Sequence, residues 1–72
     1  MTNDIRYRFA TAQIAYRFLN ELKHWPVADV KTSLLDGGLV VKVRYQFDGN
    51  GFDYTLAELD EMAAKHGGSE TT

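Results

Sequence analysis

Three stretches of this chain alternate between apolar and polar residues with a period of two, and two others repeat every three to four residues. The clearest alternation is Leu39–Phe47, LVVKVRYQF, in which Leu39, Val41, Val43, Tyr45 and Phe47 interleave with Val40, Lys42, Arg44 and Gln46. Period two places successive side chains on opposite faces, so this segment predicts a strand with one buried and one wet side. Ile5, Tyr7 and Phe9 alternate with Arg6 and Arg8 and predict a shorter strand, Ile5–Phe9. Val27–Leu35 predicts a third, with Ala28, Val30, Thr32 and Leu34 on one side and Val27, Asp29, Lys31, Ser33 and Leu35 on the other.

Between the first two strands the period changes. Ile14, Ala15, Phe18, Leu19 and Leu22 share a helical face, with Thr11 placed to cap the helix N-terminus. Pro26 disfavours helical backbone in the residue before it, so the helix should end near His24 or Trp25. After the third strand, Asp48-Gly49-Asn50-Gly51 is a loop by composition. Thr55 and Glu58 have the spacing of a capping box, and Tyr54 and Leu59 that of a hydrophobic staple. Leu56, Leu59, Met62 and Ala63 extend that helix, and His66-Gly67-Gly68 stops it. Ser69–Thr72 reads as a frayed, disordered tail beyond a single domain of residues 1–68.

Asp36-Gly37-Gly38 joins the second and third strands as a hairpin, because glycine accepts positive φ cheaply. A loop of Asp36-Gly37 pairs Leu34 with Leu39. A loop of Gly37-Gly38 slips the pairing by two residues but keeps the faces. The element order is therefore βαββα. It resembles a ferredoxin-like unit lacking its last strand: an α+β fold with a three-stranded antiparallel sheet, order 1-3-2, and two helices on one face. The helices should bury Ile5, Tyr7, Phe9, Val30, Leu34, Val41, Val43 and Tyr45. Strand 1 should be left as an open edge.

Charge sharpens this layout. The chain has 72 residues, 8 Lys+Arg against 10 Asp+Glu, and no cysteine. A domain this small has a thin core and no disulfide to brace it, which favours self-association. Net charge is −2, yet alternation places Arg6, Arg8, Lys31, Lys42 and Arg44 together on the uncovered sheet face. Asp29 shares that face, while Glu58, Asp60 and Glu61 lie on the second helix. Such a basic face suits a partner protein or a polyanion such as RNA. The aromatics that would stack on nucleobases, Tyr7, Phe9, Tyr45 and Phe47, fall on the opposite face.

Other chemistries find little purchase. Asp48, Asn50 and Gly51 match three places of an EF-hand calcium loop. Gln46 and Ala57 then stand where carboxylates are needed. His24 and His66 do not complete a metal site by themselves. There is no cysteine, no nucleophile-elbow motif and no phosphate-cradling glycine loop. Trp25 is expected to close one end of the core. No cofactor is expected, and no leader or membrane span, which fits a cytoplasmic protein. The leading expectation is a non-enzymatic interaction module, homodimeric through the sheet face or the strand 1 edge. RNA or polyanion binding and a small enzyme with a site between subunits are the alternatives.

Overall fold

A computed structural model describes residues 1–72. Its elements run β1 (Thr2–Arg8), α1 (Ala12–Lys23), β2 (Val30–Leu35), β3 (Val40–Gln46), α2 (Tyr54–Lys65) and β4 (Ser69–Thr71). All strand pairings are antiparallel, in one four-stranded sheet ordered β2-β3-β1-β4. The α+β class and the two helices agree with the sequence reading. The expected three-stranded sheet of order 1-3-2 is corrected by β4, the strand that the ferredoxin-like order calls for. Ser69–Thr71, expected as a tail, pair with Arg8, Tyr7 and Arg6. The edge of β1 is thus covered from Arg6 to Arg8 and left unpaired only over its first half.

β1 also begins earlier than expected. The pairing of Thr2 with Gln46 and Asn3 with Tyr45 extends it into the polar residues before Ile5. The Gln46 side-chain amide donates to Thr2 Oγ1 at 2.9 Å, and the Phe47 N–H donates to the Met1 carbonyl at 2.8 Å. In the hairpin Leu35 faces Val40 and Leu34 faces Val41, the register that a Gly37-Gly38 turn sets. Asp36, Gly37 and Gly38 all have positive φ, and the Leu39 N–H closes the turn on the Asp36 carbonyl at 3.2 Å.

Each helix is fixed by its ends. Thr11 Oγ1 accepts from the Ile14 N–H at 3.2 Å, as the sequence suggested. For α2 the cap is Asp53 instead of Thr55: its carboxylate accepts from the Leu56 N–H at 2.9 Å. Tyr54, expected in a staple with Leu59, points to solvent and meets Phe52 edge-on, with centroids 4.8 Å apart. At the other end Gly67 is left-handed. The Gly67 and Gly68 N–H groups donate to the Ala64 and Ala63 carbonyls, completing a Schellman cap.

The core lies between one sheet face and the two helices. Tyr7, Phe9, Val41, Val43 and Tyr45 meet Ala15, Phe18, Leu19, Leu22, Leu59 and Ala63. Burying these side chains is the main favourable term for a chain this short. Ile5, Val30, Phe47 and Trp25 are partly buried against this cluster. Leu34 departs from expectation and is 44% exposed. α1 leans over β2 and β3 while α2 lies toward β4, but α1 does not cover Leu34 near the end of β2.

Candidate anion-binding surface

The pairing register decides what shares the helix-free face. Arg6 lies opposite Lys42, Arg8 opposite Val40, and Lys31 opposite Arg44. The structure thus brings all five residues singled out from the sequence, Arg6, Arg8, Lys31, Lys42 and Arg44, onto one surface. Two of these juxtapositions set like charges directly across a strand pair, which destabilises the sheet unless something compensates.

The compensation is Asp4, which lies just ahead of the strand expected at Ile5–Phe9. It sits directly opposite Arg44. Arg44 Nε and Nη2 donate to its two carboxylate oxygens at 2.8 and 3.2 Å. The Lys42 ammonium is 3.9 Å from the same carboxylate. The hydrogen bond from Arg44 holds the Asp4 carboxyl below its ordinary value, and Asp4 in turn raises the Arg44 guanidinium. Extending the β1 alternation back to Thr2 gives Asp4 the same parity as Arg6 and Arg8, the one signal that points to it. Arg8 is drawn aside to Asp36 in the hairpin turn. Arg6 and Lys31 have no carboxylate within ion-pair distance.

The surface is cationic, with a small apolar spot at its hairpin end. Val40 projects to this side yet is only 3% exposed, between its register neighbours Leu35 and Arg8. Asp29, with Lys31, Arg44, Thr2 and Gln46, borders a depression at one end. No aromatic ring lies on this face, so it presents charge and hydrogen-bond donors rather than stacking platforms.

The other candidates resolve into internal roles. Asp48 Oδ1 accepts from the Asn50 N–H at 2.9 Å, an Asx turn. The Asp53 carboxylate is taken by the Leu56 N–H and by the Tyr45 hydroxyl, the latter at 2.6 Å. His66 Nε2 lies 3.3 Å from Glu21, and its ring packs edge-on against Phe18. No three His, Asp or Glu side chains converge as metal ligands would, and no helix is long and apolar enough to cross a membrane. The chain matches no family model, no curated protein and no solved structure.

Proposed function

We propose that this protein is a non-enzymatic interaction module that binds an anionic partner surface on its open sheet face. The observation that carries the reading is the grouping of Arg6, Arg8, Lys31, Lys42 and Arg44 on one open sheet face of a protein of negative net charge. A surface of this kind steers an acidic partner into place and discriminates against cationic ones. The same charge argues against two copies meeting face to face, since each would bring its own cations. Arg6 and Lys31, free of internal ion pairs, are the side chains available to a partner at no cost in broken contacts.

Recognition of a nucleic-acid backbone is the second reading, favoured by the same cations through counterion release and disfavoured by the absence of stacking rings. Titration of an acidic peptide and of a single-stranded oligonucleotide, each over a range of salt, separates the two. Affinity for the peptide that falls with salt and is lost in the Arg6→Glu, Lys31→Glu double variant supports the first reading. Equal failure of both probes at low salt sinks the anion-binding reading altogether.

A further inference from the structure

We propose that two copies of this protein pair through the outer edge of β2, joining two four-stranded sheets into one. In a strand, consecutive residues aim their N–H and C=O groups to opposite sides. The Phe9 N–H donates to the Leu39 carbonyl at 2.9 Å and the Phe47 N–H to the Met1 carbonyl at 2.8 Å. Odd-numbered residues of β3 therefore bond to β1, and even-numbered ones to β2. Lys31, Ser33 and Leu35, opposite Arg44, Lys42 and Val40, spend their backbone groups inside the sheet. Val30, Thr32 and Leu34 are left with N–H and C=O aimed outward at nothing.

This edge lacks most of the usual protections. β2 reads VKTSLL, with Lys31 as its one charge, no proline, no inward-pointing charge and an unbroken register with β3. β4, at the other edge, is only three residues long. The flank beside β2 is also apolar and uncovered: Leu34 is 44% and Tyr16 51% exposed. Ala12, one turn before Tyr16 on α1, lies against Gly38 at the hairpin, so Tyr16 stands on the β2 side of its helix.

The occupant is a second copy because the strand is complementary to itself. With a two-fold axis at Thr32, Val30 faces Leu34 of the partner subunit, and Lys31 faces Ser33 of the partner subunit. All three outward residues of each strand then find bonding partners, and no cation opposes a cation across the seam. An axis at Lys31 would oppose two lysines, and an axis at Ser33 would leave Val30 unpaired. The two-fold runs perpendicular to the sheet. Both basic faces therefore lie on one side and all four helices on the other. This pairing does not rest on anion binding and is tested without any anion.

Sedimentation of the whole chain from about 10 μM to about 1 mM is expected to show a monomer–dimer equilibrium, because so short a seam is small for a permanent interface. Amide exchange at the two ends of that range gives the seam. Val30, Thr32 and Leu34 N–H groups should be protected only at high concentration, and those of Lys31, Ser33 and Leu35 at both. Thr32→Pro removes an outward donor that the β3 ladder does not use. It should weaken dimerisation at least about tenfold while the monomer keeps its circular dichroism. A monomer throughout the range overturns the pairing, as does a dimer whose new protection lies outside Val30–Leu34.

Discussion

The hydroxyl of Tyr7, near the C-terminal end of β1, donates to Asp60 of α2 at 2.6 Å. Tyr7 is otherwise sealed in the core at 1% exposure, so this bond gives a buried phenol its one polar outlet and ties sheet to helix. Removing the oxygen in Tyr7→Phe leaves the ring packing against Phe18 in place. The expected loss is about 1–2 kcal/mol in denaturant unfolding. Stability equal to or above that of the unaltered protein would show that the bond contributes nothing net.

Tyr45 repeats the arrangement, donating to Asp53 at 2.6 Å. Burial, then the bonded carboxylate, pushes its phenol up to about 12. Burial and Asp60 hold Tyr7 far above the ordinary phenol value. Both groups hold their protons more tightly folded than unfolded. The stability they give is therefore complete below pH about 10 and is lost as pH rises past it toward the folded values. Thermal midpoints should fall steeply between pH about 10 and about 12, and less steeply in Tyr45→Phe. Parallel curves for the two proteins would refute the assignment to Tyr45.

The cap of α2 separates two residues that look alike in the sequence. Asp53 accepts from the Leu56 N–H, whereas Thr55 lies inside the first turn. Asp53→Ala should cost about 1–2 kcal/mol, through the lost cap and the orphaned Tyr45 hydroxyl. Thr55→Ala should cost less than about 0.5 kcal/mol. Chemical denaturation of the two variants decides it, and the reverse ranking would restore Thr55 as the cap.

Gly68 is held by contact rather than by backbone conformation. A methyl group there would stand 2.3 Å from the ring of Phe9. That ring is itself buried and tilted against Phe18, with centroids 4.9 Å apart. Gly68→Ala should destabilise by about 1–3 kcal/mol, the range for forcing extra volume into a packed core. It should also speed amide exchange in Ser69–Thr71. Unchanged exchange there would mean that β4 docks independently of this contact.

On the basic face, Asp4→Asn should tighten binding of an acidic peptide and steepen its salt dependence, since Arg44 and Lys42 lose their only carboxylate. The melting temperature should fall by a few degrees at most, because the lost compensation among exposed charges is worth no more than about 1 kcal/mol. Weaker binding would mean that Asp4 orients Arg44 for its partner rather than competing for it.

Alternation makes the faces of the sheet legible in the sequence, and with them the grouping of Arg6, Arg8, Lys31, Lys42 and Arg44. Parity survives any slip of two residues in register, so either two-residue hairpin loop keeps the faces intact. The unseen parts lacked a period to read. β4 is three residues, SET, too short and polar to differ from a loop. Gly68, just before it, lies against Phe9 from the other end of the chain, a contact that no local pattern shows. Asp4 was hidden because β1 continues into polar residues that only pairing with β3 makes a strand. Asp53 and Thr55 both carry capping oxygens, and the choice between them falls to the Tyr45 hydroxyl, a contact from another element.

β1 holds the centre of the sheet with β3, yet neither of its neighbours is its neighbour in sequence: Tyr7 meets Val41 on one side and Glu70 on the other. The β2–β3 hairpin closes over a few residues and forms early and locally. Of the four strands, β1 therefore has both its sheet partners only once the last of them, β4, is in place. Without Ser69–Thr71 the edge of β1 beside Ile5, Tyr7 and Phe9 stands open, and Arg6 and Arg8, set between those apolar residues, are the kind of charge that disfavours edge-to-edge pairing.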